Sequence, residues 1–190
     1  MKKTQGFSLI ELLVVVAIIG VLAAVGIVGY QQYIDNTKGD VAKTNAQSVE
    51  RWISSTQIAR SGGLTVSPAA CRKTTGDLTS CFGAALTAAG APLEKFKNPY
   101  SASPGKIFGF DNTTGTLSNG NACTGRTWAT GAIDDGSAWA DNITNAYETY
   151  GMVVIQRLSG GDLNRTDNYL KIGYCDGSGN FQSVADNVSF

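Results

Sequence analysis

Between Phe7 and Val28 the chain runs for 22 residues with Ser8 and Glu11 as its only strongly polar members. As a helix this is long enough to cross a bilayer core about 30 Å thick, which takes about 20 apolar residues. A chain that opens this way must place its first segment in a membrane or against other apolar surfaces. Lys2 and Lys3 precede the run, and Glu11 is the only later charge before Asp35. The positive-inside tendency puts the two lysines on the cytoplasmic side. An ordinary secretory signal has an apolar stretch of about 7–15 residues followed by a small-x-small cleavage site. Ala23, Ala24 and Gly26 offer a partial match to that site. The run is too long for that class, however, and Glu11 lies near its start. A carboxylate inside an apolar span is costly and marks a functional position.

The stretch Gly6-Phe7-Ser8-Leu9-Ile10-Glu11-Leu12-Leu13-Val14-Val15-Val16-Ala17-Ile18-Ile19-Gly20 resembles the prepilin signature of type IV pilins and type II secretion pseudopilins. The resemblance covers about residues 1–33. It implies a leader over residues 1–6, cleaved between Gly6 and Phe7 by a membrane aspartyl peptidase that also methylates the new Phe7 amine. It further implies that Glu11 pairs with the Phe7 amine of a neighbouring subunit in a helical filament. Electrostatics agrees, since an unpaired buried charge is expensive and pairing it with an opposite charge lessens the cost. Such a pair acts as a register device, because wrong insertion leaves a bare charge. In one respect the chain departs from the family: many pilins have a Pro where Val28 stands here, so only Gly20, Gly26 and Gly29 are left to loosen the helix.

Beyond Tyr30 the pattern becomes amphipathic. Ala42, Ala46, Val49 and Ile53 mark one helical face, widened by Trp52, and Lys38, Asp40, Lys43 and Glu50 lie on the other. Gly62-Gly63 supplies a stop. The expectation is one helix from Phe7 to Ser61, roughly 80 Å long, with two helices broken near Asp35–Gly39 as the alternative. Residues 64–105 hold all four prolines. In this region Asp77 is a candidate N-cap for a short helix through Ala84, Ala85, Leu86 and Ala89, closed by Gly90. Asn98-Pro99-Tyr100 reads as a turn. Lys106–Asp111, Arg126–Ile133, Gly151–Leu158 and Tyr169–Cys175 are the strand candidates, with Val153-Val154-Ile155 as a continuous core run. Residues 134–150 are left to a short helix or an ordered loop. The fold class is therefore α+β: a long N-terminal helix packed on an antiparallel meander, as in pilins. The division is leader 1–6, apolar helix 7–34 and globular head 35–190.

The chemistry-bearing residues argue for a structural or binding protein. The 190 residues contain 15 Lys+Arg, 15 Asp+Glu and no His. Without His the commonest general base and the commonest metal ligand are missing, and no nucleophile–base pair or phosphate-binding Gly loop stands out. No catalytic residue and no cofactor is expected. Net neutrality argues against nucleic acid as a partner, although Arg72, Lys73, Lys95, Lys97, Arg126, Arg157 and Arg165 could form a local patch. Cys71, Cys81, Cys123 and Cys175 all follow the apolar segment, which in an exported domain reads as two disulfides with three connectivities open. Of these, Cys71–Cys81 closes a short loop. Cys123–Cys175 ties an irregular stretch to a strand end, near where pilins carry their C-terminal disulfide loop. A zinc site fails on spacing. Asp134 with Asp135, and Asp162, Asn164 and Asp167, suggest calcium ligands but read first as turn formers.

The resemblance implies a type IV pilus subunit rather than an enzyme. Its expected partners are copies of itself, the prepilin peptidase/methyltransferase, the pilus assembly machinery and, before assembly, the inner membrane. The final location would be a surface fibre serving adhesion or twitching motility. A type II secretion pseudopilin and a minor pilin binding DNA or a surface ligand are the alternatives. Intact Glu11 favours a bulk subunit over a tip subunit, and the long disulfide-bearing C-terminal region favours a pilin over a compact pseudopilin.

Overall fold

A computed structural model describes residues 8–72, 78–88, 90–91, 93–100, 106–111, 117–126, 128, 130–133, 138–139, 143, 148–159 and 168–190. Its elements are α1 (Leu9–Ser61), a 3-10 turn (Ala69–Cys71), α2 (Leu78–Thr87), β1 (Lys106–Asp111), β2 (Thr130–Ile133), β3 (Ala138–Trp139), β4 (Val153–Ser159), β5 (Tyr169–Cys175) and β6 (Phe181–Ser189). By packing, the chain divides between Thr37 and Lys38 into two units.

In the first unit, α1 is apolar on every side from Leu12 to Val28, and none of its membrane-length window is buried. The helix is uninterrupted through Gly20, Gly26 and Gly29, and a Cβ at any of the three would meet nothing. Thr37 returns its hydroxyl to Tyr33 O (2.8 Å), a backbone acceptor that hydroxyls in helices commonly use.

In the second unit, α1 continues without a break at Gly39. It buries Ala42, Ala46, Val49, Ile53 and Thr56, the face that the sequence spacing selects. The helix ends in a Schellman motif. Gly63 takes φ +70°, its N–H donates to Arg60 O (3.1 Å), and the Leu64 N–H donates to Ala59 O (2.9 Å). Trp52 sits edge-on to Phe82, with ring centroids 6.1 Å apart. The Arg60 guanidinium lies 4.8 Å from the Phe190 ring centre, and burial lowers its pKa. The Asn98-Pro99-Tyr100 turn is held from two sides. Asn98 Nδ2 donates to Tyr150 O (2.7 Å) and Tyr100 N donates to Asn98 Oδ1 (2.9 Å), while Lys38 Nζ stands 5.6 Å over the Tyr100 ring.

The six strands form one sheet in the order β3-β2-β1-β4-β5-β6. The α+β class and the long helix hold, but the sheet is mixed rather than wholly antiparallel. β1 and β4 run parallel, with Phe108 opposite Val153 and Phe110 opposite Ile155. The reason lies in the connection. After β1 the chain forms β2 and β3 on one side, then returns to the other side of β1, so no tight turn sets the direction of β4. Two strands were not expected from sequence, the two-residue β3 and the C-terminal β6. β2 begins at Thr130 rather than Arg126. The N-cap candidate Asp77, Ala89 and most of 134–150 lie outside the described residues.

Each face of the sheet has its own core. Towards the helices, Phe108, Phe110, Val153, Ile155, Leu170 and Ile172 join Val49, Ile53, Phe82 and Leu86. On the other face, Val154, Cys175 and Phe181 join Leu117, Cys123, Trp128 and Ile143. β4 is thus buried on both sides, which is why Val153-Val154-Ile155 is continuously apolar rather than alternating. Gly109 makes room for the second layer: a Cβ there would lie 2.5 Å from Trp128 Cε3. Gly173 does the same under Phe181.

Candidate functional site

Of the expected assembly residues, Glu11 lies in the first turn of α1. Gly6 and Phe7 fall outside the described residues. Ser8 is the N-cap of α1: its carbonyl accepts the first helical hydrogen bond, from Leu12 N (3.2 Å). Three residues on, Glu11 turns its side chain back, and Oε2 accepts a hydrogen bond from the Ser8 backbone N–H at 2.9 Å. This is the return half of a capping box, which satisfies a donor that a helix N-terminus otherwise leaves open. A carboxylate in the first turn is also favoured by the helix dipole. The spacing Ser8-x-x-Glu11 carries this signal in the sequence, where it is easily passed over in favour of the charge of Glu11 alone. Around it Leu9 is 81% exposed and Leu12 60% exposed. The arrangement is a single carboxylate, fixed on backbone, at the end of an uncovered apolar rod.

The four cysteines form two bonds in the second unit, both buried. Cys71 of the 3-10 turn bonds Cys81 of α2, with Cα atoms 4.5 Å apart and a sequence separation of 10. Cys123 bonds Cys175 at the end of β5, with Cα atoms 6.3 Å apart and a separation of 52. The second bond staples the β1–β2 connection to the sheet.

A buried polar chain, not expected from sequence, fastens the same connection. Asp111 at the end of β1 is fully buried. Its Oδ2 accepts from Arg126 Nη1 (2.8 Å) and Gln156 Nε2 (3.2 Å). Gln156 Oε1 accepts from Leu117 N (2.8 Å), and Lys171 Nζ donates to Leu117 O (2.8 Å) while pairing with Asp186 (3.1 Å). Arg126, one of the candidate patch cations, is therefore committed to Asp111. Lys73 and Arg165 lie outside the described residues.

Asp134, Asp135, Asp162, Asn164 and Asp167, the calcium candidates, also fall outside the described residues. Among the described residues, no group of three or more His, Cys, Asp or Glu side chains is placed to hold a metal. The Asp176 turn satisfies itself: Oδ1 accepts from Ser178 N and Asn180 N, and Oδ2 from Gln182 Nε2. Nearby, burial, then Asp176, then Asp40 raise the pKa of Tyr174 above the ordinary phenol value.

Residues 1–27 match the family described as "Prokaryotic N-terminal methylation motif". The chain is 30% identical over 127 residues to a protein of Dichelobacter nodosus described as "Probable minor fimbrial protein", covering 63% of this chain and 79% of that one. It is 58% identical over 38 residues to a "Fimbrial protein" of Pseudomonas aeruginosa, 20% of this chain and 25% of that one. It is 45% identical over 47 residues to the "Type IV major pilin protein PilA" of Myxococcus xanthus, 25% of this chain and 21% of that one. No solved structure matches.

Proposed function

The chain belongs to the type IV pilin family, a family of pilus structural subunits, and we propose that it is a filament-forming subunit processed at Gly6–Phe7. The observation that carries this reading is the first half of α1, apolar on every side and unburied, with one carboxylate at its head. Such a rod is at home in the inner membrane before assembly and among copies of itself in a surface pilus. Cleavage leaves a positive amine on Phe7, which is then methylated. Glu11 accepts the amine of a neighbouring copy, so that correct insertion pairs two charges and wrong insertion strands one. The disulfide-stapled head faces outward and serves adhesion or motility. Its role is structural rather than catalytic.

The "Probable minor fimbrial protein" relative, matched over 79% of its length, favours a second reading, a minor subunit present in few copies per fibre. Electron microscopy of sheared fibres, with mass spectrometry of their subunits, tests both. Long fibres built mainly of a chain beginning at methylated Phe7 support the bulk subunit. The same processed chain as a small fraction of the fibre supports the minor subunit. Its absence from every surface fibre overturns both and favours a pseudopilin.

A further inference from the structure

The Ser8–Glu11 capping box joins the residue expected to pair between subunits to the backbone of its own helix. We infer that Ser8 is a positioning residue: its backbone N–H holds Glu11 Oε2 in the unassembled subunit, so the carboxylate is partly satisfied and already oriented before a neighbour arrives. The inference rests on the filament reading above.

Three observations lead to it. The bond is made at 2.9 Å by a backbone donor, so it does not depend on a second flexible side chain. Ser8 lies beyond the expected cut, so its amide N–H exists in the precursor and in the processed chain alike. Apart from Glu11, no charged side chain occurs in α1 before Asp35, so within that stretch the carboxylate has no side-chain cation to turn to. A carboxylate offers about four lone-pair sites on two oxygens. One is taken on Oε2, and Oε1 remains to accept the amine of a second copy. Assembly on this arrangement adds a partner to a fixed carboxylate, without first ordering a free Glu side chain. In the membrane the same bond lessens the cost of keeping a charge near hydrocarbon.

Gln at the third helical position also closes a capping box, so Glu11→Gln separates the bond from the charge. The measurement is amide hydrogen exchange at Ser8 in the full processed chain in detergent micelles. Leu12, whose amide bonds the Ser8 carbonyl, serves as internal standard. Expected is exchange at Ser8 slower by about tenfold than in Glu11→Ala, the factor for a hydrogen bond of ordinary net strength. Glu11→Gln should keep at least part of that protection while forming few filaments. Equal Ser8 exchange in the native chain, Glu11→Gln and Glu11→Ala overturns the positioning role. Filament yield is read separately: normal yield from Glu11→Ala defeats the pairing of Glu11 between subunits, whereas absence of the native chain from every fibre defeats the filament reading, and in both cases the exchange result stands on its own.

Discussion

Removing the two disulfides one at a time should reveal unequal worth. A crosslink limits the unfolded chain more when it closes a longer loop, with a stabilisation that grows as three-halves RT times the logarithm of loop length. Here the separations are 10 and 52 residues. The chain-entropy relation gives about 2.7 kcal/mol for Cys71–Cys81 and about 4 kcal/mol for Cys123–Cys175. All four sulfurs are buried, so replacing each pair by Ser adds a similar polar-burial cost to both variants, and that cost drops out of the comparison. The difference of about 1.5 kcal/mol therefore isolates loop closure. The assay is urea unfolding of the full chain in detergent, followed by the fluorescence of Trp52 and Trp128, with the double variants Cys71→Ser/Cys81→Ser and Cys123→Ser/Cys175→Ser. Equal losses, or a larger loss from the short loop, would refute the loop-closure account and place the stabilisation in native packing around the sulfurs.

Glu11→Ala should be processed and inserted yet yield few fibres, as counted by microscopy of sheared material. Gly109→Ala drives a methyl against the Trp128 ring and should cost about 1–3 kcal/mol, the usual range for overpacking, read as a lower urea midpoint. Asp111→Ala removes the acceptor for Arg126 and Gln156. It should cost about 1–3 kcal/mol and raise proteolysis within residues 112–129, detected by mass spectrometry of the fragments. Tyr174 has a raised pKa when folded, so the neutral phenol is favoured in the native state. Its contribution is complete below the ordinary value of about 10 and is lost as pH rises through the folded value. Tyr174→Phe should consequently lose less stability than the native chain between neutral and strongly alkaline pH, in paired urea titrations.

Local, repeating signals made much of the fold readable in sequence. The Ala42–Ile53 spacing found the buried face of α1, Gly62-Gly63 found its end, and the Val153–Ile155 run found the strand covered on both sides. Direction and layering were not readable in this way. Whether β4 runs with or against β1 depends on where a long connection returns, and no residue in either strand records that. β6 was hidden because Phe181–Ser189 lacks a clean apolar alternation, and Asn187 takes φ +56° within a strand whose pairing shifts register. The buried role of Asp111 was equally hidden, since its partners Arg126 and Gln156 stand 15 and 45 residues away. At the candidate site, the chemistry of Glu11 was legible from its isolation in an apolar run, whereas its bond to Ser8, for which the Ser8-x-x-Glu11 spacing carries the signal, was missed beside that charge.

The uncovered apolar half of α1 also bears on what can set the direction of assembly. Lipid tails are as apolar as leucine, so exchanging them for neighbouring helices brings little hydrophobic gain. The segment partitions equally well into either surrounding, which leaves the two states near balance as far as greasy surface is concerned. What tips that balance must tell a subunit from a lipid: close packing of side chains, an oriented carboxylate, contacts between heads, or work done from outside. The apolar helix fixes the phase in which the subunit resides, and the polar atoms at its end help decide whether it stays there.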